Sequence, residues 1–109
     1  MLAHSVYFTL KDRTERARRE LLAGFRKYLS DHPGTKFFTC GILNEELARP
    51  VNDRHFDVIL LVIFTNKAAH DRYQESPKHA AFIAKFQGNW ANVRVFDADV
   101  VLAPAVPKP

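Results

Sequence analysis

Two histidines, His4 and His79, stand where the surrounding pattern places apolar side chains. His4 shares alternation parity with Val6, Phe8 and Leu10 in the run Leu2–Leu10. His79 falls with Phe82, Ile83 and Phe86 at i, i+3, i+4 and i+7, the spacing of one helical face. A buried imidazole gives up its hydration, so each needs a partner or a ligand. Tyr73, in the segment Tyr73-Gln-Glu-Ser-Pro-Lys-His79, is a candidate partner. The chemistry on offer is proton transfer. An imidazole that titrates near neutrality can take a proton from carbon beside a carbonyl, while Tyr73 or His4 orients the base or donates to the developing enolate. The competing expectation is a structural hydrogen-bonded cluster tying the second helix to a sheet.

The rest of the chain narrows what surrounds these groups. A length of 109 residues predicts one domain, able to bury roughly two-thirds of its unfolded surface. Apolar residues make up 47% and charged residues 26%, which excludes a disordered chain, and nine phenylalanines make a bulky core. The longest apolar run, Val58–Phe64, has strand length and falls far short of the ~18 residues of a membrane span. Met1–Leu10 lacks the charged start and cleavage site of a secretory signal, so cytoplasmic residence is the expectation. Cys40 stands alone, which rules out an intrachain disulfide or a cysteine-based zinc site; mid-strand, it reads as a small core residue. His70 and His79 are nine apart and make no helical metal pair, while His32 and His55 fall in loops. Neither a metal nor another cofactor is expected.

The net charge of +4 invites a nucleic-acid reading, which the distribution of charge argues against. Arg16, Arg19, Arg26 and Lys27 oppose the stripe Ala17, Leu21, Phe25 and Tyr28 on a helical wheel. That is a solvated helix face, supported by a Glu15–Arg19 pair, and no nucleic-acid motif accompanies it.

The element order follows from periodicity and punctuation. Leu2–Leu10 alternates as a strand. Asp12 is the expected cap of a helix running to about Leu29, with Glu15 at its third position, and His32-Pro33-Gly34 closes it. Lys36–Asn44 is a second strand, 45–56 a long hairpin loop read as an ordinary mobile loop with pocket gating as the alternative, and Asp57–Thr65 a third strand. Asn66 caps a short helix carrying Ala69 and Tyr73; Ser76 and Pro77 restart it through His79 and Phe86 to Gly88. Trp90 is a packing anchor, and Asn92–Leu102 is the last strand. Residues 103–109 form a tail with three prolines, outside a domain spanning 1–102.

This is βαββαβ, a ferredoxin-like α+β fold: a four-stranded antiparallel sheet with helices on one face, in which the first and third strands are expected to be adjacent and parallel. The third strand is apolar on both parities, Val58, Leu60, Val62 and Phe64 on one and Ile59, Leu61 and Ile63 on the other. A strand greasy on both sides is buried on both sides. Two helices cover one face only, so a second copy of the chain, packed sheet against sheet, is the expected second cover.

With these elements placed, the chain resembles the stress-responsive A/B barrel (Dabb) family. The resemblance rests on His4-Ser-Val-Tyr-Phe-Thr-Leu-Lys11-Asp12, His32-Pro33-Gly34, Asp57-Val58, Tyr73-Gln-Glu-Ser-Pro77-Lys-His79, and Trp90 followed by Val93-Arg94-Val95-Phe96-Asp97. It covers residues 2 to about 101 and implies a dimeric α+β barrel. Many members have no assigned reaction. A plant cyclase of the family closes a polyketide ring by aldol chemistry without metal or organic cofactor, its base being the histidine that matches His79. Its other matching positions are His4 and Tyr73, and its further tyrosine falls where this chain has Phe25, with Tyr28 nearby. The resemblance implies a pocket with His4, Tyr73 and His79 as catalytic candidates and Phe8, Phe25, Tyr28, Phe82 and Phe86 as its ligand-binding wall. An apolar or aromatic carbonyl compound is the ligand class. Three functions stay open: a binder of unassigned activity, a cofactor-free cyclase or lyase on a β-keto substrate, and a non-catalytic stress-protective assembly. Other dimeric α+β barrels degrade haem or oxidise quinols, but no constellation here calls for haem.

Overall fold

The alternation in the first strand becomes an alternation of burial. Leu2, His4, Val6, Phe8 and Leu10 of β1 (Leu2–Leu10) turn inward, and the residues between them turn outward. The computed structural model describes residues 1–101; the proline-rich tail 103–109 lies outside the described residues. After β1 come α1 (Glu15–Leu29), β2 (Thr35–Ile42), β3 (Val58–Phe64), α2 (Lys67–Glu75), α3 (Pro77–Phe86), a 3-10 turn over Gln87–Asn89, and β4 (Trp90–Asp99). The ferredoxin-like α+β architecture is as expected, with helices on one face of a sheet ordered β2-β3-β1-β4.

One expectation is corrected. β1 and β3 are adjacent but antiparallel, with Leu2 opposite Phe64 and Phe8 opposite Val58. The crossover through α1 makes β1 parallel to β2, and these two are not neighbours. β3 returns from β2 through the 45–56 loop and enters between them, so it runs against both.

The start of α1 also differs. Thr14, rather than Asp12, caps the helix, its side chain accepting the Ala17 N–H at 3.2 Å. Asp12 closes a turn one step earlier by accepting the Thr14 N–H at 3.1 Å. Asn89 explains the delay. Its backbone and side-chain oxygens take the N–H groups of Lys11 and Asp12, both at 2.8 Å, so the chain is held to the end of the sheet before it can coil. The other caps stand where sequence places them. Asn66 accepts from the Ala69 N–H at 2.9 Å, and Ser76 from the His79 N–H at 3.1 Å.

The core lies between sheet and helices. Phe8, Leu60, Val62 and Phe64 meet Leu21, Phe25 and Leu29 of α1, Tyr73 of α2 and Phe82 of α3. The arginines of α1 face solvent and pair along the helix, Arg16 with Glu20 at 3.0 Å and Arg19 with Glu15 at 3.8 Å. Cys40 packs against the core, and burial pushes its thiol pKa up, away from nucleophilic use. The opposite face of the sheet carries Ile59, Leu61 and Ile63, partly buried, beside Phe37 and Phe96, which are more than half exposed.

Candidate functional site

β1 carries His4 to the centre of the sheet, where the register sets it opposite Asp97 of β4. α2 lies across that end of the sheet and presents Tyr73 and Gln74. The break between the two later helices then places His79 beside them. Ser76 makes that corner: its hydroxyl donates to the Tyr73 carbonyl at 2.9 Å while accepting the His79 N–H. The result is a cavity of about 470 Å³ whose wall includes His4, Tyr73 and His79 together with Phe8, Phe82 and Trp90. Such a volume suits a small organic ligand, and apolar walls with a few convergent polar groups are the usual makeup of such sites.

The rings form a chain of edge contacts. Tyr73 stands 6.0 Å from His4 and 5.0 Å from His79, centroid to centroid, and His32 backs it at 5.1 Å. His4 Nδ1 is 2.6 Å from Asp97 Oδ1, and its Nε2 is 3.4 Å from the Gln74 amide. Burial holds the His4 pKa below its ordinary value, although the Asp97 carboxylate pulls the other way. His79 is lowered too, first by burial and then by the neighbouring histidines His4, His32 and His70. Both imidazoles are therefore neutral at pH 7. Burial raises the Tyr73 pKa, so its phenol stays protonated and keeps an O–H to donate. Among the described residues no hydrogen bond reaches a ring nitrogen of His79; its only polar link is the backbone cap.

His4, Tyr73 and His79 are thus brought together, and Phe8 and Phe82 share their cavity. The rest of the expected ligand-binding wall is corrected. Phe25 is sealed in the core between Phe8 and Phe82, with no exposed surface. Tyr28 and Phe86 face a separate depression over Gly24, because the missing Cβ of Gly24 lets the Phe86 ring lie on α1. Of the two readings of the 45–56 loop, gating of this cavity finds no support, since none of its residues lines the wall. Asp53 pairs with Arg94 at 2.8 Å and Phe56 packs on Tyr7, so the loop lies over the opposite face of the sheet.

Sequence reasoning missed three residues. Asp97 alternates with the cavity-lining Val93 and Val95, and that parity was a usable signal. His70 and Gln74 flank Tyr73 at helical spacing on α2, which would have placed them on its face. The structure gathers His4, His70 and Asp97 so that one donor atom from each lies within 4.8 Å of the others. Helical spacing had tested only ligands carried by a single helix, whereas this set comes from β1, α2 and β4.

The model of the family described as the stress responsive A/B barrel domain matches residues 2–100. The chain belongs to that family. Solved structures agree on its fold. A Dabb-family protein with a ferredoxin-like fold from Mesorhizobium loti is 24% identical, covering 92% of this chain and 96% of its own, with a TM-score of 0.75. A dimeric ferredoxin-like protein of unknown function from Thermobifida fusca is 19% identical over 91% of this chain and 90% of its own, also at 0.75. The hydroxynitrile lyase of Passiflora edulis is 18% identical over 97% and 96%, at 0.71. A search of curated proteins found no match. Among the described residues no helix of this Dabb chain is long and apolar enough to cross a membrane.

Proposed function

We propose that the cavity binds an apolar or aromatic small molecule bearing a carbonyl group, and that His79 serves there as a general base without a cofactor. The single observation that carries this is the His79 imidazole: it is neutral, half-buried, free of hydrogen bonds to its ring among the described residues, and set against the phenol of Tyr73 in an apolar chamber. Neutral imidazole has a lone pair to offer. A ligand seated against the apolar wall would bring a C–H beside its carbonyl within reach of that lone pair. Tyr73, protonated, stabilises the enolate oxygen by donation. A relative described as a hydroxynitrile lyase gives the same fold a precedent for small-molecule lyase chemistry.

The protein acts as a homodimer packed sheet against sheet. The partly exposed apolar row on the outward face of β3 supports this, and so do the relatives described as dimeric.

Benzylacetone, an aromatic ketone of matching size, tests the site. Titration should shift the histidine ring signals of the protein saturably in proton NMR. In deuterium oxide the protein should speed deuterium uptake at the carbons beside the carbonyl, and His79→Ala should lower that rate by about 10²–10⁴-fold, the usual worth of a positioned base. Saturable binding with uptake unchanged by His79→Ala removes the base and leaves a binding protein. Absence of any saturable shift overturns the proposal.

A further inference from the structure

We propose that His4, His70 and Asp97 form a binding site for a divalent transition-metal ion of the zinc class, with three protein ligands and the remaining positions open to the cavity. The inference is independent of the ligand and base assigned above. Zinc bonds of ~2.0–2.1 Å to nitrogen and oxygen, in tetrahedral array, put neighbouring donor atoms about 3.3 Å apart. Here His4 Nδ1 lies 2.6 Å and His70 Nε2 lies 4.0 Å from Asp97 Oδ1, on either side of that spacing, and all three residues offer donor atoms within 4.8 Å of one another.

The arrangement of His70 argues for a ligand. Its Nδ1 is 3.0 Å from the Asp71 carboxylate, so this nitrogen holds the proton and donates it. The lone pair is left on Nε2, which is buried and has no partner among the described residues. A carboxylate behind a histidine whose other nitrogen faces inward is the outer shell that metal-binding histidines normally have. His4 is prepared in a similar way. When its Nδ1 coordinates, its Nε2 carries the proton and donates to the Gln74 carboxamide oxygen, which reaches it by a flip of the amide. The one proton shared between His4 Nδ1 and Asp97 Oδ1 then gives way to the ion and is carried on Nε2 instead, so the neutral imidazole changes tautomer without net loss of a proton. Asp97, partly exposed at the cavity rim, supplies one negative charge and a path for entry. Two imidazoles and one carboxylate suit zinc, cobalt(II) and their neighbours; magnesium and calcium take oxygen ligands instead.

Untagged, chelator-stripped full chain should be titrated calorimetrically with zinc chloride and, in parallel, with magnesium chloride. One zinc per chain is expected, with no magnesium heat. Asp71→Asn should weaken zinc by about 10–100-fold, the range for a lost outer-shell partner. His70→Gln and Asp97→Asn should weaken it further, while His79→Gln, in the same cavity but outside the set, should not. The His70 side chain makes one hydrogen bond among the described residues, so His70→Gln should melt like the parent without metal and carries the test if a His4 variant does not fold. Absence of saturable zinc binding, equal magnesium binding, or zinc affinity indifferent to His70→Gln overturns the proposal.

Discussion

Among single side chains, His79 is the one whose surroundings set its chemistry most directly. Burial disfavours its charged form, so its pKa in the folded protein lies below the ordinary 6.5. The unfolded chain then binds more protons than the folded one as pH falls. The stability tied to His79 is present above about pH 6.5 and is lost as pH drops through the folded value. The melting temperature should fall on acidification below that pH, and His79→Leu should blunt the fall, as followed by circular dichroism across a pH series. The same shift should leave deuterium uptake flat at neutral pH and failing only under acid conditions. Asp57, also buried, has a structural role instead. It accepts from the Leu10 N–H at 2.8 Å and from Arg13 at 3.0 Å, binding the end of β1 to the start of β3 on the far side of the core from the cavity.

Between elements, the site depends on two turns. Gly34 has φ of 85°, a conformation that glycine adopts freely and other residues rarely do. A Cβ there would also strike the Ala69 side chain, where α2 crosses the end of the sheet. Its carbonyl takes the Thr65 N–H at 2.8 Å and so joins the two ends of the β2–β3 pair. Gly34→Ala should cost about 2–4 kcal/mol, adding left-handed strain to the clash with α2. Urea unfolding should show the lower midpoint with an unchanged slope. The second turn, at Ser76, ends α2 in extended conformation and starts α3 at Pro77. A single continuous helix would carry Tyr73 and His79 to different faces, since six residues at 3.6 per turn is well short of two full turns.

For the molecule as a whole, the two faces of the sheet are unequal. One is covered by helices and opens at the cavity. The other shows Phe37, Phe96 and the outward row of β3. An apolar area of this kind on a lone protomer marks an interface. In the proposed dimer Leu61, at the middle of that row, is buried by the partner. Leu61→Lys should then leave an unpaired charge in the interface, a cost of about 3–5 kcal/mol, and shift the protein to monomers in sedimentation velocity. The parent's melting temperature should rise with protein concentration and the variant's should not. The 45–56 loop is held along the same face by Arg94 and Tyr7, so it borders the proposed interface.

Local patterns made much of this legible. Alternation in Leu2–Leu10 put His4 on the buried face, helical spacing put His79 beside Phe82, and Asn66, Ser76 and Pro77 announced the two short helices. Each of these is a property of neighbours in the chain, so periodicity reports it directly. The antiparallel setting of β1 against β3, the pairing of His4 with Asp97, and the gathering of His70 with both arise from register between segments as much as 93 residues apart. The departure of Tyr28 and Phe86 from the cavity has a similar origin, since it follows from how closely α3 can approach Gly24. Side-chain period states which face a residue occupies; it carries no information about which distant residue shares that face, because strand register and helix approach are chosen by packing the whole core at once.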